Sequence, residues 1–152
     1  MTLPLRPIAT LCLLAAASGC GSSLPSEPGA EAVPHEVVID PGPVPMPGDP
    51  VNIVDARLAG DELVLSLSHG GGCRVHRFAL HLVLPVPQTD APVLDLTLSH
   101  DAKGDPCEAL LTPELGFDLR TLHPVIAPRR AALLRIYRPG SAAPSFELPY
   151  SF

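Results

Sequence analysis

Two short segments hold most of the side chains that could do chemistry in this chain. The segment GGGCRVHRF at residues 70–78 places Cys73 three residues before His76. The segment SHDAKGDPC at residues 99–107 adds an imidazole, two carboxylates and a thiol: His100, Asp101, Asp105 and Cys107. Such side chains can form a disulfide, bind a metal ion or take part in catalysis, and the rest of the sequence has to decide among these alternatives.

The cysteine count favours a disulfide. The chain has four cysteines, and Cys12 and Cys20 lie in an N-terminal targeting segment. Cys73 and Cys107 are left over, and outside the cytoplasm such a pair is expected to be oxidised. The disulfide would close a loop of about 35 residues, for which the chain-entropy estimate is about 3–4 kcal/mol.

In this interpretation the neighbouring residues shape a corner of a sheet. Gly71 and Gly72 supply positive φ angles or a bulge that turns the chain into Cys73. Asp101 and Asp105 cap the turn before a proline. The two histidines of the segments then bond to loop backbone at the rim of the sheet.

A metal site is the alternative. Cys73 and His76 have the spacing of half a zinc site, and His100 with Cys107 or Asp101 could complete a tetrahedral set. Copper would also suit these ligands. If the cysteines are oxidised, His76, His100 and Asp101 could still bind a metal ion beside the disulfide.

Catalysis is the alternative that the sequence supports least. Thiol redox enzymes use closely spaced cysteines such as C-x-x-C, and none occurs here. Ser99, His100 and Asp101 are contiguous in a strand, where neighbouring side chains diverge, so they cannot form a relay. The remaining histidines are predicted to lie in a tether or on the surface: His35, His69, His81 and His123. We therefore predict a protein that is not an enzyme and needs no cofactor.

The N-terminus has the pattern of a targeting segment. Residues 1–19 combine one charge, Arg6, with an apolar stretch too short to span a bilayer. The ending AASGC resembles a bacterial lipobox, although Ala17 stands where that pattern prefers leucine. The resemblance implies cleavage before Cys20 and lipid (palmitate among the acyl chains) on that residue, and the alternative is ordinary secretory cleavage. Gly21 and Ser22 follow, which in the usual sorting pattern implies the outer membrane.

The proline content of residues 20–50 distinguishes a predicted tether from the domain that follows it. Residues 20–50 are rich in proline, with glycine, serine and acidic residues between, and are predicted to be a disordered tether, although residues 35–40 could form an early strand. The chain carries a formal charge of −6, with 10 basic and 16 acidic residues, and its scattered basic residues exclude a nucleic-acid footprint.

Hydrophobic residues alternate with polar ones from residue 51 to residue 152. Period two is typical of half-buried strands, and no stretch shows a convincing helical stripe. Six to eight short strands over about 100 residues favour a single immunoglobulin-like antiparallel β-sandwich. The strands 76–84 and 92–100 flank a proline-rich turn. A symmetric closure pairs Leu80 with Leu96 and His76 with His100, which would bring the two histidines together on the inward face.

The segments GGCRVHRFAL, SHDAKGDPCEALL and LGFDLRTL together resemble a group of small, uncharacterised bacterial lipoproteins. More remotely, residues 51 to about 137 resemble the C-terminal β-sandwich of NigD-like lipoproteins. The resemblance implies a sandwich fold, a cell-envelope address and no particular reaction. Its signature positions include the residues already discussed and three more: Phe78, Phe117 and Asp118.

These observations lead to a functional expectation. We expect a membrane-anchored, non-enzymatic module of the bacterial cell envelope that binds a protein or another envelope component. The alternative is an envelope lipoprotein that binds or senses a metal ion through His76 and His100, near Cys73 and Cys107.

Overall fold

Alternating leucines form the strands of this protein. The computed structural model describes residues 35–43, 45–87, 89–127 and 129–152, which lie within one compact unit, Glu31–Phe152. The predicted signal peptide 1–19, the lipid-attachment residue Cys20 and the first part of the tether lie outside the described residues. Within the described residues, no helix is long and apolar enough to cross a membrane.

Nine strands and two short helices make up the described residues. The strands are β1 (Glu36–Asp40), β2 (Asn52–Ala59), β3 (Glu62–Gly71), β4 (Arg77–Val83), β5 (Val93–Asp101), β6 (Ala109–Leu111), β7 (Glu114–Asp118), β8 (Ala131–Tyr137) and β9 (Phe146–Ser151). A 3₁₀ turn at Leu119–Leu122 leads into the single-turn helix α1 (His123–Ile126).

The strands form two sheets around an apolar core. One sheet has the order β1-β4-β5-β8-β9, and the other has the order β2-β3-β6, with β7 also paired to β3. The all-β, sandwich-like fold class is therefore confirmed. Two strand pairs depart from the predicted antiparallel arrangement, since β1 pairs with β4 and β5 with β8 in parallel. The described strands also outnumber the six to eight predicted.

The core comes from the leucine faces that the alternation predicted. Along β3, β4 and β5 every second residue is almost fully buried: Leu63, Leu65, Leu67, Leu80, Leu82, Leu94, Leu96 and Leu98. Because side chains of a strand point to opposite faces in turn, these runs place one apolar face of each sheet toward the core.

The β4–β5 hairpin differs from the predicted register by two residues. Leu80 pairs with Leu98 and Phe78 with His100. The pairing of β4 with β5 ends at Leu82 and Leu96, and Leu84 N–H then donates to the carbonyl of Asp40 in β1. An even slip keeps every side chain on its predicted face, so the leucine face still points inward.

The predicted domain start at residue 51 is too late. Strand β1 pairs along its length with β4, and His35 N–H donates to the carbonyl of Gly116. Farther on, Pro47 and Asp49 exchange backbone hydrogen bonds with His100. Residues 35–40 and 47–49, which were predicted to belong to a disordered tether, are thus integral to the sheet that carries His100.

Candidate functional site: a buried histidine cluster beside a disulfide

Three imidazoles meet at one end of the core. His69 near the end of β3, His76 just before β4 and His100 near the end of β5 have ring centroids 4.7 to 5.0 Å apart. The exposed fraction is 1% for His100 and 6% for His69. It is 4% for the side chain of His76. We refer to these three residues as the histidine cluster.

The outer nitrogen of each ring in the cluster bonds to an oxygen. His76 Nε2 lies 3.1 Å from Asp105 Oδ2, His100 Nδ1 lies 3.2 Å from the carbonyl of Asp49, and His69 Nδ1 lies 2.9 Å from the carbonyl of Gly70. Carbonyl and ionised carboxylate oxygens only accept, so the ring nitrogens donate. On the inner side, His76 Nδ1 and His100 Nε2 are 2.8 Å apart.

Asp105 organises the loop that holds His76. Its Oδ2 accepts the backbone N–H groups of Gly72, Cys73 and Arg74 as well as His76 Nε2, all at 2.9 to 3.1 Å. Its Oδ1 accepts the backbone N–H of Cys107 at 2.9 Å. That last bond, together with the bond from His76, holds the pKa of Asp105 well below its ordinary value. The carboxylate is therefore a fixed anionic acceptor inside a ring of N–H donors.

Two glycines allow this loop to fold. Gly71 has φ +143° and Gly72 has φ +121°, and residues with a side chain rarely adopt such backbone conformations. A Cβ on Gly71 would also meet His76 Cε1 at 2.5 Å and Nε2 at 2.6 Å. Gly71 is therefore required both for the backbone turn and for the position of His76.

A disulfide joins the cysteines that the cysteine count left over. Cys73 and Cys107 are bonded, with Cα atoms 5.8 Å apart and a sequence separation of 34. Their sulfurs lie beside Asp105 rather than in the histidine cluster. An oxidised pair has no thiolate to offer a metal ion, so the predicted Cys–His zinc set is not available.

The other signature residues support the cluster or the core. Phe78 stacks on His100 with centroids 4.6 Å apart and planes 2° from parallel. Phe117 is fully buried and packs against His35, 5.5 Å away. Asp118 caps the 3₁₀ turn by accepting the N–H of Arg120 at 3.0 Å.

Asp101 does not join the two histidines. Its carboxylate accepts the N–H of Lys103 at 2.9 Å, which makes it a turn residue. Asp105, four residues later, makes the carboxylate contact with His76. The two-residue change in hairpin register moves Asp101 opposite Arg77 in β4.

His69 is the cluster member that the sequence prediction placed at the surface. It was recoverable from the sequence, because it continues the inward alternation of Leu63, Leu65 and Leu67 along β3. The surface or tether prediction is also wrong for His35, which contacts Phe117. His123 stacks on the C-terminal Phe152 with centroids 3.6 Å apart, and it is partly buried.

His81 forms a second polar chain on the face of the sheet opposite the core. Its Nδ1 lies 2.8 Å from Asp40 Oδ2, and its Nε2 lies 3.1 Å from Ser99 Oγ. This order of groups matches a carboxylate–histidine–hydroxyl relay. Ser99 is nevertheless buried, and its Oγ also lies 3.2 Å from the carbonyl of Ala79, a second acceptor for the hydroxyl proton.

A cavity of about 380 Å³ opens beside the histidine cluster. Its walls combine imidazole, aromatic and aliphatic side chains with one arginine: His35, His69, Arg74, His76, Phe78, Leu111 and Leu115. Burial lowers the pKa of His100 below the ordinary histidine value, and its two histidine neighbours act in the same direction. Burial therefore favours the neutral form of the His100 imidazole.

The fold and the cluster define a small all-β domain built from two sheets, with a buried polar centre. No protein-family model matches the chain, and no curated protein matches it significantly.

Solved structures share the fold. A NigD-like immunity protein from Bacteroides caccae aligns with a TM-score of 0.60 at 18% identity, over 78% of this chain and 64% of that one. A DUF1344 protein of unknown function from Bacteroides vulgatus aligns with a TM-score of 0.52, also at 18% identity, over 79% and 56%. The chain thus spans less than two thirds of either structure, and the likeness to NigD-like proteins is confirmed at the level of the fold.

Proposed function

We propose that the protein is a lipid-anchored, non-enzymatic module of the bacterial cell envelope whose β-domain binds a protein partner. The observation that carries this proposal is the shared fold with a NigD-like immunity protein, taken together with the lipobox-like ending before Cys20. An anchored binding module needs an address and an exposed surface rather than a reaction centre.

The described nucleophiles support a non-enzymatic role. The thiols of Cys73 and Cys107 are consumed in the disulfide, and Ser99 is buried, with 6% of the residue exposed. The buried carboxylates of Asp40 and Asp105 accept hydrogen bonds from within the domain, as structural carboxylates generally do.

The surface around the disulfide is where we place the partner. Val75 is 84% exposed and Leu110 is 74% exposed, and they flank Cys73 and Cys107 on the two linked segments. Leu110 lies in β6, which among the described strands pairs with β3 alone. An outer strand with exposed apolar side chains can accept a strand or a loop from another protein.

Docking can be tested with matched charge substitutions. Val75→Asp and Leu110→Asp should abolish partner capture in cross-linked envelope extracts, because a charge at the contact must be desolvated. Val54→Asp is the control, since Val54 is also an exposed apolar residue but lies in β2. Equal capture by all four proteins, or no partner above background, would count against the proposal.

Anchoring and the absence of catalysis need separate tests. Metabolic labelling with an alkyne fatty acid should mark the wild type and the Cys12→Ala variant but not Cys20→Ala. A fluorophosphonate probe should leave Ser99 unlabelled in the folded protein. Labelling that depends on both Ser99 and His81 would instead show a working relay and overturn the non-enzymatic proposal.

A further inference from the structure

We propose that His69, His76 and His100 form a binding site for one divalent transition-metal ion, with Zn²⁺ as the reference ion. The site is independent of partner docking, because its three ligands are buried whereas Val75 and Leu110 are exposed.

The inner nitrogens of two rings face each other. His76 and His100 each donate their outer N–H to an oxygen that can only accept. A neutral imidazole carries a single N–H, so His76 Nδ1 and His100 Nε2 both present lone pairs, 2.8 Å apart. Two lone pairs repel at that distance unless a cation, either a proton or a metal ion, lies between or beside them.

A metal ion bound to both rings would satisfy the two lone pairs at once.

The third ring completes a set of three ligands. One ring nitrogen from each of His69, His76 and His100 lies within 4.8 Å of the others. A tetrahedral ion with metal–nitrogen bonds of about 2.0–2.1 Å separates its ligand nitrogens by about 3.3 Å. When an ion binds, the 2.8 Å pair would therefore open by roughly 0.5 Å, and the most distant pair of ligand nitrogens would close by at most about 1.5 Å.

The partners of the outer nitrogens match those of known metal-bound histidines. Such histidines generally donate their second N–H to a carboxylate or a backbone carbonyl, which fixes ring orientation and tautomer. Asp105 does this for His76, and the carbonyls of Asp49 and Gly70 do it for the other two. The outer contacts of all three rings thus hold the inner nitrogens ready for a ligand role.

The donor set defines the class of ion. Three neutral nitrogens suit zinc, copper, nickel or cobalt and do not suit calcium or magnesium, which prefer oxygen. His69 and His76 also line the 380 Å³ cavity, so a fourth coordination position can open toward it. Water or a small monodentate anion would occupy that position.

The experiment uses the untagged full chain in detergent, stripped with a chelator and titrated with Zn²⁺ by calorimetry. We expect one ion per chain, and Co²⁺ should give the intense visible bands of a four-coordinate site. His69→Ala and His100→Ala should weaken Zn²⁺ binding by more than the roughly 10–100-fold that loss of an outer-shell partner costs. His81→Ala, which removes an imidazole from the same hairpin, should bind like the wild type.

Folding must be separated from ligation. Near-UV circular dichroism should show that the variants are folded, and His69→Gln provides a milder substitution at the third ligand. Zn²⁺ should raise the melting temperature of the wild type and His81→Ala but not that of His69→Gln. The metal site would be overturned if the folded wild type bound no Zn²⁺, or if the His69 and His100 variants bound Zn²⁺ as tightly as the wild type. Either result would leave the docking proposal untouched.

Discussion

Gly71 lies directly against the imidazole of His76, so that a single added methyl would overlap the ring. The hypothetical Cβ would be 2.5 Å from Cε1, and Asp105 Oδ2 would be only 3.1 Å away on the same side. The backbone of β3 at Gly71 therefore limits where the His76 ring of the histidine cluster can lie. The glycines of the signature therefore shape the cluster as well as the turn.

Gly71→Ala should destabilise the domain and displace His76. The left-handed φ alone costs about 1–3 kcal/mol for a residue with a side chain, and the ring must also move. Gly70→Ala is a matched control, because nothing lies within 4 Å of its Cβ position. We expect the control to change the free energy of unfolding by less than about 0.5 kcal/mol. Urea denaturation measures the free energy of unfolding of both variants. Equal losses in Gly71→Ala and Gly70→Ala would contradict the steric explanation.

Loss of the Cys73–Cys107 disulfide should lower stability through the unfolded chain. The sequence separation of 34 residues corresponds to about 3–4 kcal/mol in the chain-entropy estimate. For a domain of this size that is a drop in melting temperature of roughly 10 °C or more. The double variant Cys73→Ser/Cys107→Ser should show this drop and should not respond to reductant. An unchanged melt of the reduced wild type would mean that the bond is dispensable.

Asp118 should contribute to stability in a pH-dependent way. Hydrogen bonds from Arg120 hold the pKa of Asp118 at about 2, below the ordinary aspartate value. A lowered pKa in the folded state means that the stabilisation is complete above pH 4 and is lost as the pH falls toward 2. Asp118→Asn should therefore be slightly less stable than the wild type at pH 7, by under about 1 kcal/mol because the ion pair is at the surface.

The difference between the wild type and Asp118→Asn should shrink as the pH is lowered from 4 to 2. Denaturation curves across that range give the comparison. Asp55→Asn, at an exposed position in β2, is the control. Its free energy of unfolding should change with pH as that of the wild type does. A gap between Asp118→Asn and wild type that stays constant down to pH 2 would contradict the assignment.

Phe117 should be the most sensitive of the signature positions. It is fully buried, pairs with Leu63 across the β3–β7 ladder and contacts His35. Phe117→Ala should cost about 3–5 kcal/mol, the range for a large core residue that leaves a cavity. Val54→Ala, an exposed apolar position, should cost under about 1 kcal/mol. Thermal and urea unfolding test this, and a cost below about 1 kcal/mol for Phe117→Ala would show that the core can close around the gap.

The sequence by itself determined the strands, their faces and the cysteine pair that remained for a disulfide. Period-two alternation is a local property, so Leu80, Leu98 and His100 could be placed on the inward face whatever the register. The same alternation along β3 contained the information for His69, which was nevertheless assigned to the surface.

Only the tertiary structure decided which residues meet. The register of Phe78 opposite His100, the carboxylate of Asp105 in place of Asp101 and the carbonyl of Asp49 beside His100 all join segments that are far apart in the chain. Such contacts depend on the energies of whole sheets, including hydrogen bonds from the residues 47–49 that composition assigned to a tether. A pattern confined to neighbouring residues cannot encode them, because backbone bonds between distant strands form between any residue types whose strands are in register.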